Sequence, residues 1–583
     1  MGEITIKLNG IKTTVPEGIT ILEAAAMSHI RIPTLCYMKD LNEIGACRIC
    51  VVEVKGAKTL VASCVYPVSD GMEVWTNTPR VRESRKKTLQ LILSNHRKDC
   101  LACVRNGNCE LMKLCRELGV NTTEKYNGSM TPSVVDDSAV HMIRDNSKCV
   151  LCRRCTAVCA KVQGIGVIGV NHRGFATSIG SPYEKGLATT SCVGCGQCIA
   201  VCPTGAITEK DSTGRVFDAI ADPDKFVAVQ TAPSVRAALG EEFGLPMGMP
   251  VEGKMVTALR MLGFDRVFDT DFGADLTIME EAHEFLNRVQ NDGVLPMITS
   301  CSPGWVKYCE NYYPDLIPHL STCKSPQQMF GAVLKTYFAE KQGIDPSEIM
   351  SVSIMPCTAK KNEIGRPHQD ASGYPDVDVS LTTRELARMI RTAGIDFANL
   401  PDGTFDHPLG ESTGAGVIFG ATGGVMEAAL RTAVETLSGE ELTHLEFQAV
   451  RGTEGIKEAE YGAAGRKIRV AVASGLSHAK ILLDRVKNKE AEYDFIEIMG
   501  CPGGCVNGGG QPFVSPTERE HVDVRGLRAK ALYTLDANMP VRKSHENPSV
   551  KTLYREYLGT PGSMISHKLL HTTYTPGEVH RLK

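Results

Sequence analysis

CVLCRRCTAVC (149–159) and CVGCGQCIAVC (192–202) share one cysteine spacing, C-x2-C-x2-C-x3-C, offset by 43 residues, and Pro203 follows the second run. Four thiolates so spaced wrap a 4Fe-4S cluster, and in a paired module the fourth cysteine of each run serves the other run's cluster. Cys149, Cys152, Cys155, Cys159, Cys192, Cys195, Cys198 and Cys202 are therefore expected ligands. This part of the chain carries electrons, and the flanking sequence must supply their source and destination.

Towards the N-terminus, residues 4–8 and 11–15 alternate about Asn9–Gly10 and predict a hairpin with a primed turn, followed by a short helix over 20–27. Cys36, Cys47, Cys50 and Cys64 follow as C-x10-C-x2-C-x13-C. This start resembles the β-grasp 2Fe-2S domain of plant-type ferredoxins and complex I subunits, with a longer first gap. A zinc ribbon would show two C-x2-C knuckles, and this array has one. Thr78 and Pro79 read as N-cap and first position of a basic helix running to about Asn95. At its end stand His96, Cys100, Cys103 and Cys109, a set suited to zinc or to a 4Fe-4S cluster. Beside three iron–sulfur arrays the cluster is expected, and an imidazole in place of a thiolate raises its potential.

The chain has 583 residues, a formal net charge of -3 and 22 cysteines. The charge gives no sign of a nucleic-acid or anionic-membrane partner. No apolar run reaches membrane-spanning length and the first ten residues are no signal peptide, so a cytoplasmic location is expected. There, cysteines are metal ligands rather than disulfides; 19 of the 22 fall in clusters, leaving Cys115, Cys309 and Cys323 as expected small buried residues. Gly164–Gly169 matches G-x-G-x-x-G but sits between the two cysteine runs without a βαβ unit, and no phosphate-binding loop occurs. No nicotinamide or flavin site is expected in this polypeptide.

From about Asp211 apolar strands alternate with helices, an α/β pattern. Strands are expected at 226–229, 294–298, 350–354, 468–473 and 495–498. Three of them run into TSCSPGW (299–305), MPCTAKKNE (355–363) and EIMGCPGGCVNGGGQP (497–512). Ligands gather at the carboxyl ends of such strands, so Cys301, Cys357, Cys501 and Cys505 are expected to converge on a further 4Fe-4S cluster. Gly508–Gly510 removes side chains where backbone passes close to something bulky.

These three motifs, together with the modules before them, resemble the iron-only (FeFe) hydrogenases of clostridial-type modular architecture. The resemblance covers nearly the whole chain, and its domain set is most similar to the catalytic subunit of cytoplasmic NAD(P)-reducing complexes. It implies five parts: a 2Fe-2S ferredoxin-like domain (1–77), a His/Cys3 4Fe-4S domain (78–140), a bacterial-type two-4Fe-4S ferredoxin domain (141–210), a large α/β H-cluster domain (211–514), and a C-terminal extension like a separate small subunit (515–583). The implied cofactors are one [2Fe-2S], three accessory [4Fe-4S] and an H-cluster: a 4Fe-4S cluster joined, at Cys505 by motif position, to a two-iron unit bearing carbon monoxide, cyanide and azadithiolate. Lys360 would hydrogen-bond a cyanide. Met355 and Met499 would shield the two irons, and Ala232, Pro233, Ser234, Gln327, Phe419 and Gly420 would line the pocket. Glu281, Glu284, Ser321 and Arg288 match the proton relay, the two glutamates three apart on one helical face.

One position departs from the family pattern. Two adjacent cysteines are usual in the first motif, a relay followed by a ligand, and here the pair is Cys301–Ser302. Thiolate is the better iron ligand, which favours Cys301 as ligand with Ser302 or water relaying; alternatively Ser302 ligates through oxygen. The implied activity is reversible H2 ⇌ 2H+ + 2e−. Electrons would pass to flavin- and NAD(P)-binding and small 2Fe-2S partner subunits, or to ferredoxin, and maturation proteins would build the H-cluster. A hydrogen sensor, an iron–sulfur assembly relative and a plain electron wire are the rival readings; the last explains only the first 210 residues.

Overall fold

The computed structural model describes residues 2–120, 126, 128–131, 133–463 and 465–577. Glu3–Leu8 and Ile11–Pro16 pair antiparallel about Asn9 and Gly10, whose φ values of 52° and 89° are those of a primed turn. Glu73–Trp75 lies parallel beside the first strand, with Val51–Val54 antiparallel beyond it. Thr20 caps the helix Ile21–Met27 in a reciprocal capping box with Glu23, and that helix buries Ile21, Ala24 and Ala25 on the sheet's apolar face. Thr78 and Pro79 start the next helix, Pro79–Ser94, as expected.

The large region holds two four-stranded sheets. One is all parallel, in the order Arg266–Asp269, Phe226–Thr231, Ile349–Met355, Val379–Thr382. In the other, Met297–Ile298, Phe495–Met499 and Arg466–Ser474 run parallel, and Ile456–Ala463 adds an antiparallel edge. Four of the expected strands form almost as read. The fifth, expected over 294–298, is confined to Met297–Ile298; Pro296 has no N–H to give to a ladder. The glycine-rich stretch 164–169 is a loop leading into the short strand Gly169–Asn171, with no phosphate-binding helix. Cys309 and Cys323 are buried as expected, whereas Cys115 is only half-buried.

The C-terminal helices Val524–Asn538, Pro548–Leu553 and Met564–Leu570 lie against the α/β region through ion pairs and hydrogen bonds. Fully buried Arg431 grips Asp536 with two 2.8 Å bonds. Ser544 and Asn547 converge on buried Asp275 at 2.7 and 2.9 Å.

Candidate iron–sulfur chain and catalytic cavity

The cysteine clusters assemble in space as their spacings require. Cys47 N–H points at Cys36 Sγ (3.5 Å), and Cys50 and Cys64 sulfurs lie 3.3 Å apart. His96, Cys100, Cys103 and Cys109 line one small cavity. Cys149, Cys152 and Cys155 share another with Cys202, the fourth cysteine of the other run; Cys159 correspondingly acts electrostatically on Cys195 and Cys198. This is the crossed pairing of a two-cluster module.

Strand ends of both sheets open on a single cleft of about 750 Å³. From the first sheet come Ala232, Pro233 and Ser234, just beyond Thr231, and Met355 with Cys357. From the second come Cys301 with Ser302, and Met499 with Cys501 and Cys505. Gln327, Lys360, Phe419 and Gly420 complete the wall, so every pocket residue read from the sequence lines this space. Burial pushes all four cysteine thiols up, Cys505 to about 12. Neutral on their own, they become thiolates only around a cation. The donor set and the cradle thus fit an iron–sulfur cluster.

Gly508–Gly510 shapes the cradle's back. A Cβ on Gly508 would meet Pro356 O at 2.2 Å, one on Gly509 would meet Cys195 O at 2.3 Å, and one on Gly510 would meet Thr382 at 2.9 Å. Thr358 Oγ1 donates to Gly194 O (2.7 Å) and Gln197 Nε2 to Asn507 O (2.9 Å). The second ferredoxin run is thereby locked against the loop bearing Cys357 and the loop bearing Cys501 and Cys505.

Lys360, buried, donates to Cys301 O (3.2 Å), Ser325 Oγ (2.8 Å) and Glu363 Oε2 (2.8 Å). Ser325 and Gln327 donate to that same Glu363 oxygen, at 3.0 and 2.9 Å. Glu363 sets the ammonium's direction; it stands at i+3 in the helix Lys360–Glu363, a spacing that pairs opposite charges and that the reading of the motif leaves unused. Within the Cys301–Ser302 pair the surroundings divide. The Cys301 thiol is pushed up first by burial and then by nearby Glu281, against the Lys360 ammonium, whereas Ser302 Oγ accepts the N–H of Gly500 (3.2 Å), next to Cys501.

Glu281, Glu284 and Arg288 share one face of the helix Thr270–Gln290, outside the cleft. Burial, then the Glu284 charge, pushes Glu281 up to about 8. Ser321 lies close enough to restrain that rise, yet neither Glu281 oxygen has a hydrogen-bond partner. Half-buried Glu284 accepts from Ser321 Oγ (3.0 Å), Thr322 N (3.0 Å) and Arg288 (2.6 Å). Arg288 continues outward to the carbonyls of Pro318, His319 and Leu320. A hydrogen-bonded line therefore runs from the surface through Arg288 and Glu284 to Ser321, and buried Glu281 beyond it is close enough to Cys301 to act on that thiol electrostatically.

The chain matches the family models for the iron only hydrogenase large subunit, C-terminal domain, over 225–509 and the iron hydrogenase small subunit over 522–577. A 2Fe-2S iron-sulfur cluster binding domain matches 2–79, an NADH-ubiquinone oxidoreductase-G iron-sulfur binding region 85–124, and a 4Fe-4S binding domain 189–208. It is 50% identical to the NADP-reducing hydrogenase subunit HndD of Solidesulfovibrio fructosivorans, over 98% of this chain and 99% of that one. It is 44% identical to iron hydrogenase 1 of Clostridium pasteurianum over the same shares. Apo [FeFe]-hydrogenase HydA1 from Chlamydomonas reinhardtii superposes with a TM-score of 0.56 at 43% identity, covering 63% of this chain and all of that one. With cysteine-bearing loops, buried lysine and glutamate line in one place, the chain belongs to the iron-only (FeFe) hydrogenases.

Proposed function

We propose that this chain catalyses H2 ⇌ 2H+ + 2e− and exchanges the electrons with NAD(P)-linked partner subunits. The observation that carries this reading is the cleft itself. Thiols from three strand ends face it, a ferredoxin module abuts one side, and buried Glu281, with half-buried Glu284 behind it, approaches from another. When bound, the H-cluster supplies the metal centre at which dihydrogen is split or formed. Cys357, Cys501 and Cys505 would hold its 4Fe-4S part. The nearness of Cys301 to Glu281 supports a proton-handling role for that thiol, which leaves Ser302 as the fourth ligand, through oxygen. This reverses the choice that ligand strength alone favours.

Lys360, fixed by Glu363 and Ser325, would present its ammonium to an anionic ligand in the cleft. Met355, Met499, Pro233, Ala232, Phe419 and Gly420 would exclude water, with Ser234 and Gln327 adding the few polar contacts. Glu281, held near neutrality, would pass protons to Glu284 by way of Ser321, with Arg288 orienting the outer end. Electrons would leave by the Cys192–Cys198 and Cys149–Cys155 clusters towards the His96 and Cys36–Cys64 sites. The likeness to a subunit of an NADP-reducing hydrogenase supports partner subunits that exchange electrons with NADP+; flavin in those partners and a cytoplasmic setting belong to the same proposal. Among the described residues no helix is long and apolar enough to cross a membrane.

Co-production with H-cluster maturation proteins, followed by gas measurement with a viologen dye, tests the activity. Evolution and uptake of H2 are expected in both directions. A fully iron-loaded protein that reduces dye with other donors yet never handles H2 would reduce the chain to an electron conduit.

A further inference from the structure

Glu284 has a second route outward that the relay above does not use. Arg288 cannot take a proton from it, because a guanidinium stays charged at any working pH. The Thr322 hydroxyl can. Thr322 Oγ1 lies 3.3 Å from Glu284 Oε2 and 2.7 Å from Nδ1 of His571, a residue of the C-terminal extension. The other ring nitrogen, Nε2, lies 3.1 Å from Glu280 Oε2. Glu280 is fully buried and also receives the Tyr554 and Ser566 hydroxyls and the Gly562 N–H (2.9 Å). Although burial works the other way, the donors His571, Ser566, Tyr554 and Gly562 hold Glu280 below the usual carboxylate range, so it is ionised.

An ionised carboxylate on Nε2 fixes the tautomer and leaves Nδ1 as the acceptor facing Thr322. The imidazole side chain is only 6% exposed, but its ring stacks on the exposed ring of His567, with centroids 4.6 Å apart and planes 10° from parallel. The charged and titratable groups around His571 are Glu280 and Glu284 from the helix Thr270–Gln290, Cys323 beside Thr322, Tyr554 beyond Glu280, and His567. Arg288 lies behind Glu284.

We propose that His571 is a second proton-accepting terminus of the relay, taking protons from Glu284 through the Thr322 hydroxyl, so that the C-terminal extension completes the proton path. In that step the Glu284 carboxyl gives its proton to Thr322 Oγ1, whose own proton passes to His571 Nδ1; no electrons move. Protonated His571, paired with Glu280, then releases its proton on the His567 side. This inference rests on the hydrogenase reading and adds a residue to it.

The test uses the full, matured chain and its dye-linked H2 uptake across pH. His571→Gln keeps a polar side chain but cannot carry a proton, and is expected to lower turnover about tenfold or more and to change the pH profile. Iron content, melting temperature and infrared bands should stay as in the wild type. Thr322→Val should show the same loss, and free imidazole should restore His571→Ala. Wild-type rates and an unchanged pH profile in both His571→Gln and Thr322→Val would overturn the inference, as would a loss explained by lower melting temperature alone. Were the wild-type chain itself inert towards H2, the hydrogenase reading would fail; were it active and the variants equally active, only the His571 branch would.

Discussion

Ser302 and Cys301 are neighbours in sequence with different surroundings in space, and that division is testable at the residue scale. Cys301→Ser is expected to retain the iron of the cleft cluster while turnover falls by about 10² or more. Ser302→Ala is expected to lose that iron, and Ser302→Cys to keep it with a changed electron-paramagnetic signature of the reduced cluster. Iron loss in Cys301→Ser with none in Ser302→Ala would return Cys301 to the ligand set. Glu281→Gln addresses the relay. Its carboxyl sits near 8 with unpartnered oxygens, so the amide is expected to cost about 10²–10⁴ in rate with cluster spectra intact. A rate within a factor of about two of wild type, on a scale where one pKa unit is a tenfold change, would place proton transfer elsewhere.

At the scale of elements, the glycine run and one ion-pair cluster decide how the modules meet. Backbone blocks a Cβ at Gly509, and backbone cannot rotate away as a side chain can. Gly509→Ala is therefore expected to cost about 1–3 kcal/mol and to loosen the ferredoxin module, seen as faster proteolysis at the 203–211 connection. Glu209, in the strand Ile207–Glu209, bonds Arg384 at 2.8 Å and Arg388 at 3.0 Å. Against the burial that pushes it up, these arginines pull its carboxyl to about 2. A depressed carboxylate stabilises the fold above its unfolded value near 4.5 and loses that contribution as pH falls towards 2. The shift corresponds to about 3 kcal/mol. Glu209→Gln should accordingly lower resistance to denaturant at pH 7, and the gap from wild type should narrow as pH drops below about 4.5; a constant gap would mean that packing, not charge, joins the domains.

The elements with strong local signals were legible in the sequence. Asn9–Gly10, Thr20 with Glu23, and Thr78–Pro79 each carry their turn or cap chemistry within a few residues, and the cysteine spacings carry their clusters. Three motifs gave the cleft because each ends a strand. What stayed hidden depends on long-range geometry: Ser302 turning to Gly500, and the Glu280–His571–Thr322 line between positions nearly 300 apart. The Glu363 that aims Lys360 is local, three residues on in the same short helix, and the reading of the motif passes over it. The two-sheet division was equally invisible, because strand periodicity reports burial and not the identity of the neighbour.

Across the whole molecule the modules form one conduit. Phe513, just past the glycine run, lies between two guanidinium groups, Arg105 of the His/Cys3 region at 3.7 Å and Arg384 of the α/β region at 4.4 Å. Arg105 also donates to Cys202 O (2.8 Å), so three modules meet at one ring. These contacts fix the His/Cys3 region, the ferredoxin module and the α/β region against one another. The cleft is built to hold an organometallic iron centre. Infrared spectroscopy of the matured chain reads out that centre by its diatomic ligands. Sharp bands of metal-bound carbon monoxide and cyanide, shifting when H2 replaces argon, are predicted; a fully iron-loaded sample without such bands would contradict the account.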